Sequence, residues 1–294
     1  MPKLEKSVGS LLLGLSVVLL GSGVILPMTQ AKSQESIELV TVGDSLTEGI
    51  GDTKDMGGYE QRIAHKIEHV DHRDVQTANF GKSGDRSDQI LKRLQADPTA
   101  QKKIKHADVL VVTAGGNDLQ QELFKLIQTQ KEPNVMPEIR DTKAQYQHKF
   151  EQLFAYLRGQ NPHAPIFVYG NYNPLYVYLA NRNDLNQAVH LYNGVNKGVA
   201  LADKNAYYVS VFKPLTYGQY ETAPKKVKLV REAKESAQGS TDNKMVSAAL
   251  NQPDGEKNRY ISQADHFHPN NKGYDVMTNE LFKVMQKNKK EWLH

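Results

Sequence analysis

The sequence predicts an α/β domain: a three-layer sandwich in which helices cover both faces of a five-stranded parallel sheet. Two observations predict it. From residue 37 onward the hydrophobic period switches in regular order between strand-like and helix-like spacing. The strand-like runs are also apolar at successive positions, as strands buried on both faces require.

The elements follow in order. "IELVTV" (37–42) is the first strand, and Tyr59, Ile63, Ile67 and Val70 then recur at helical spacing. "VQTANF" (75–80) is the second strand, followed by a helix through Ile90, Leu91 and Leu94. "DVLVVTA" (108–114) is apolar on both faces and reads as a central strand. A helix over about 118–128 ends at a Pro-marked break, and the next helix carries Tyr146, Phe150, Leu153, Phe154 and Leu157. "PIFVYG" (165–170) and "AYYVSVF" (206–212) are strands four and five, separated by a helix over about 184–203, and a last helix covers about 271–287. Strands that alternate with helices argue for one parallel sheet covered on both faces, with helical crossovers of the usual hand. No internal repeat or low-complexity tract interrupts the pattern.

Composition narrows the function classes. The 294 residues carry 37 Lys and Arg against 33 Asp and Glu, a net charge of +4, too balanced for a nucleic-acid footprint. Without cysteine the chain has no thiolate metal site, thiol nucleophile, lipidated N-terminal cysteine or disulfide. Lys3 and Lys6 precede an uncharged run over 8–28, and Thr29, Gln30 and Ala31 follow. Residues 1–31 therefore read as an export signal, either cleaved or kept as a membrane anchor, because about 20 apolar residues suffice to span a bilayer. Either case places residues 32–294 outside the cytoplasmic membrane, secreted or anchored to its outer face.

In a parallel sheet, function sits beyond the carboxyl ends of the strands. "GDSLTEG" places Ser45 in the turn leaving strand one, where a serine serves either as a helix cap or as a nucleophile. After strand two, "FGKSGDRSD" places Gly84 in a glycine-rich turn whose N–H no side chain obstructs. After strand three, "AGGNDL" projects Asn117 from the same rim, as a cap or as an amide donor. Near the C-terminus, "DHFHPN" places Asp265 three residues before His268, close enough to hold one tautomer of the imidazole. A nucleophile, a base, an orienting carboxylate and N–H donors are the parts that acyl transfer needs.

These blocks resemble those of the SGNH hydrolases, the GDSL esterase/lipase family: Gly43-Asp44-Ser45-Leu46, Gly84 in "SGD", Gly115-Gly116-Asn117-Asp118, and Asp265 through Pro269. The layout is most similar to exported bacterial members of the lysophospholipase or esterase kind. The resemblance implies a flavodoxin-like sheet of strand order 2-1-3-4-5. It implies Ser45 as nucleophile, His268 as general base and Asp265 as its partner, with the N–H groups of Ser45 and Gly84 and the amide of Asn117 forming an oxyanion hole. It implies no cofactor and no metal. The substrate is then an acylated small molecule, lipid or glycan.

Two other classes compete: a metal hydrolase built on Asp265, His266 and His268, for which no H-E-x-x-H cluster supplies further ligands, and a catalytically silent binding protein on the same fold. Two stretches exceed a minimal member. About fifty residues (213–262) separate strand five from Asp265, as lid helices or a solvated excursion. "LQQELFKLIQTQKEPNVMPEIRD", with the tyrosines of "YGNYNPLYVY", is expected to wall an acyl or aromatic pocket; alternatively, Tyr172, Tyr176 and Tyr178 are ordinary buried aromatics.

Overall fold

Alternate residues of each strand face opposite sides of a sheet, and in this chain both sides are apolar. Val40, Val42, Leu110, Val112, Ile166 and Val168 belong to one buried cluster, while Leu39, Val109, Val111, Phe167 and Tyr169 belong to the other. The computed structural model describes residues 36–129, 134–236 and 255–293, with residues 244, 248 and 251 between them. The strands are β1 (Ile37–Gly43), β2 (Val75–Gly81), β3 (Val109–Val112), β4 (Ile166–Tyr169) and β5 (Ala206–Val209). They pair in parallel in the order β2-β1-β3-β4-β5. Val42 lies opposite both Phe80 and Val112, so the carboxyl ends of β1 and of its two neighbours, β2 and β3, share one rim.

The helices are α1 (Ser45–Glu48), α2 (Glu60–Asp71), α3 (Ser87–Ala96), α4 (Pro98–Lys105), α5 (Gly116–Thr129), α6 (Met136–Gln160), α7 (Asn183–Ala202), α8 (Phe212–Tyr217), α9 (Ala223–Ser236) and α10 (Asn271–Lys287). Spacing assigns them to faces. Ile63 and Ile67 of α2 and Tyr274, Met277, Leu281 and Met285 of α10 cover one side of the sheet, and α3 through α7 cover the other. Each such fully buried Leu or Met contributes about 1.5–3 kcal/mol of transfer free energy.

The predicted strand order and the two helical layers are present. Detail differs where local chemistry intervenes. The helix expected through Ile90 and Leu94 is followed by a second, α4, because Asp97 accepts from Thr99 N and Ala100 N and Pro98 occupies the first turn. The fifth strand stops at Val209, since Phe212 already opens α8. Between β5 and α10 the chain forms α8, a 3-10 turn (Gly218–Tyr220) and α9, which buries Leu229 and Ala233 against the larger cluster. The apolar run at 244–250 and the N-terminal segment 1–31 lie outside the described residues, apart from residues 244 and 248. Among the described residues no helix is long and apolar enough to cross a membrane.

Candidate active site

The turn after β1 is built around a close approach. A Cβ on Gly43 would lie 2.2 Å from Thr113 Oγ1, so the end of β1 can abut β3 only with glycine there. Asp44 then caps α1, its Oδ1 accepting from Leu46 N at 3.1 Å and from Thr113 Oγ1 at 2.8 Å. Thr113 Oγ1 in turn accepts from Asp44 N and bonds Thr47 Oγ1, which bonds Tyr59. Burial pushes the Asp44 carboxyl above its ordinary value, against the pull of Thr113 and Leu46. This buried knot fixes the backbone on which Ser45 stands as first residue of α1, itself only 6% exposed.

The chain delivers His268 to Ser45 from 223 residues away, with Nε2 2.9 Å from Ser45 Oγ. Its Nδ1 lies 2.6 Å from Asp265 Oδ2, and Asp265 Oδ1 accepts from Phe267 N and His268 N, each at 3.0 Å. Burial raises the Asp265 carboxyl, but the bonds from His268 and these N–H groups outweigh it and hold the group below the usual range. An ionised Asp265 places the imidazole proton on Nδ1, leaving the Nε2 lone pair to accept from the Ser45 hydroxyl.

Gly84 lies in the turn after β2, at φ +84°, a conformation that favours glycine. Lys82 N donates to Gly43 O, and Arg93 Nη2 donates to the same carbonyl, holding this turn against the end of β1. Glu48 also accepts from Ser83 N. Among the described residues, neither Ser45 N–H nor Gly84 N–H donates to a protein acceptor. Asn117 sits in the first turn of α5, where its Nδ2 donates to Asp85 O at 2.9 Å; that bond spends one of its two N–H groups.

A cavity of about 80 Å³ opens beside Ser45 and Asn117. Leu119, Leu123 and Phe124 of α5, Tyr172 through Leu175 after β4, Leu185 and Val189 of α7, and Phe267 line it. Of the expected wall, the first turns of the 119–141 stretch and Tyr172 line the cavity, Tyr176 and Tyr178 do not, and residues 130–133 lie outside the described residues. Tyr176 packs on Tyr217, and Tyr178 donates to Glu256. Gly84 is not among the lining residues. His266 bonds Glu256, and among the described residues no three His, Asp or Glu side chains gather as a metal site.

Several supporting residues carry no local sequence signal. Asn171, also lining the cavity, is clamped by Asn193, whose Oδ1 accepts from Asn171 N at 2.6 Å and whose Nδ2 donates to Asn171 O. Ser87 gives both its N–H and its hydroxyl to Asp118, the residue after Asn117.

Residues 41–276 match the GDSL-like Lipase/Acylhydrolase family. The uncharacterized protein YpmR of Bacillus subtilis (strain 168) is 28% identical over 260 residues, covering 88% of this chain and 85% of its own. The spore germination lipase LipC of Bacillus licheniformis is 27% identical over 246 residues, covering 84% of this chain and 95% of its own. The lipase Lip_vut3 from a goat rumen metagenome shares the fold at 21% identity, with a TM-score of 0.57 over 85% of this chain and 97% of that one. The chain belongs to the GDSL-like lipase/acylhydrolase family and is, with that family, a carboxylic ester hydrolase.

Proposed function

We propose that the chain cleaves esters through a covalent acyl intermediate on Ser45. The hydrogen-bonded series from Ser45 through His268 to Asp265 carries this reading. Ser45 Oγ attacks the acyl carbonyl as its proton passes to His268 Nε2, and the ionised Asp265 stabilises the imidazolium that results. The unpaired N–H groups of Ser45 and Gly84 and the remaining N–H of Asn117 receive the oxyanion. Collapse breaks the bond to the alcohol, which leaves with the proton from Nε2. Water then attacks the acyl carbon, giving a proton to Nε2; a second collapse frees the acid and returns that proton to Ser45 Oγ.

The substrate we infer is an ester of an aliphatic acid longer than acetate, because Leu119, Leu123, Leu185 and Val189 offer the acyl chain an apolar wall. The likeness to a spore germination lipase supports the same class. A p-nitrophenyl ester series from acetate to dodecanoate tests this. Each methylene that enters the cavity is worth up to about 0.8 kcal/mol, roughly fourfold in kcat/KM. The profile should rise and then level, Leu123→Trp should move the optimum to shorter chains, and Ser45→Ala should abolish turnover. A flat profile would remove the acyl-pocket reading, and turnover by Ser45→Ala would remove the mechanism.

We propose further that residues 32–294 act outside the cytoplasmic membrane, secreted or anchored, on the strength of Lys3, Lys6 and the uncharged run 8–28. Fractionation of expressing cells should find the protein there. An intact chain in the cytoplasm would contradict it.

A further inference from the structure

We propose that His266, held by Glu256, is a positioning residue that sets the turn presenting Asp265 and His268. The proposal rests on the reading of Ser45, His268 and Asp265 given above. His266 has φ +55°, the left-handed region that side chains with a Cβ avoid. Two other non-glycine residues among the described ones share it, Asp55 and His72, and both are exposed. His266 is 2% exposed. A buried histidine in a disfavoured conformation, between two residues of the reacting series, needs a partner that holds it there.

Glu256 is that partner. Its Oε2 lies 2.6 Å from His266 Nδ1 and accepts from Tyr178 Oη at 2.9 Å, while its Oε1 accepts from Asn258 N at 2.6 Å. Side-chain exposures of 3% for His266 and 6% for Glu256 keep water from replacing these bonds. The Tyr178 and His266 rings stand perpendicular to each other, their centroids 6.4 Å apart. The backbone of the turn is closed as well: His266 N donates to Ser262 O at 2.9 Å, and Ser262 N to His268 O at 2.7 Å. Tyr172, a cavity residue, donates to Phe267 O at 2.8 Å. None of these contacts is with a reacting atom, so through them His266 acts on the backbone of residues 265–268.

The consequence is a link across the molecule. Glu256 lies near the end of the long excursion between β5 and α10, and Tyr178 follows the cavity wall, so both meet the reacting turn through the buried Glu256–His266 pair. Geometry of this kind must hold to about 0.5 Å for efficient reaction. A displacement of 1 Å can cost about 10²-fold, so a partial relaxation should cost about tenfold.

The test compares full-length wild type with Glu256→Gln and His266→Gly. It measures the rate at which a small fluorophosphonate labels Ser45, and kcat and KM on an acetyl ester. Both variants should label about tenfold more slowly and lose kcat by the same factor at unchanged KM. Glycine adopts φ +55° freely, so a merely tolerated histidine would leave His266→Gly as active as wild type. Tyr178→Phe removes one bond to Glu256 without emptying the core. It should slow labelling by about two- to threefold, so it decides the matter if the other variants do not fold. Wild-type labelling rates in the folded variants would overturn the positioning role alone. A wild type not labelled on Ser45 would overturn the mechanism beneath it.

Discussion

Asn117 is the side chain at which an oxyanion donor and a helix-terminal structural residue part company. As the carbonyl turns tetrahedral its oxygen takes on full negative charge, so a donor there gains strength in the transition state and little in the ground state. Asn117→Ala should lower kcat by about 10²–10³ and leave KM nearly unchanged. Steady-state kinetics on a folded variant measures it; near-normal turnover would leave Asn117 with only its bond to Asp85 O. Ser45, Gly84, Asn117, Asp265 and His268 could be picked out of the sequence because each lies in a short block at a strand end or a helix start. Thr113 could not, since its bond to Asp44 spans 69 residues and a threonine closing a strand carries no local mark. Glu256 is equally hidden, within a stretch whose sequence reads as lid helices or a solvated excursion.

At the scale of elements, the loop after α1, helix α2 and helix α10 are tied by one guanidinium. Arg62 reaches Asp52 at 2.7 Å and Asp275 at 3.0 Å, its side chain 5% exposed and that of Asp52 2%. Burial raises the Asp52 carboxyl, but the bonds from Arg62 and from backbone N–H groups prevail and bring it to about 2. A carboxyl depressed on folding stabilises above its unfolded value near 4 and loses that contribution as pH falls toward 2. Asp52→Asn should therefore destabilise the protein by about 1–2 kcal/mol at pH 7, after allowance for solvent screening. Its penalty should shrink between about pH 4 and 2. Denaturant titrations of both proteins across that range check it, and a pH-independent difference would assign the loss to packing instead. Periodicity revealed the strands and long helices because both sheet faces are apolar. It missed the break between α3 and α4, which depends on a single Asp-Pro cap, and the four-residue α1, too short to show a period.

For the whole molecule, the strand order is what turns scattered blocks into a site. With β1 flanked by β2 and β3, the turns bearing Ser45, Gly84 and Asn117 leave one rim, and the turn before α10 brings His268 to it. Sequence pattern alone supplies the alternation of strands and helices; the strand order came with the family likeness, since periodicity does not say which strands are neighbours. The central claim is that Ser45 is the nucleophile. Ser83 is exposed in the next turn, and Ser87 is fully buried and bonded to Asp118; among the described residues neither has a histidine partner. Treatment with a fluorophosphonate, which loses fluoride as a Ser Oγ–P bond forms, followed by peptide mapping by mass spectrometry, tests the claim directly. One phosphonyl group per chain, on Ser45, and none in His268→Ala over the same time is the predicted result; a label on Ser83 or Ser87, or equal labelling without His268, would contradict it.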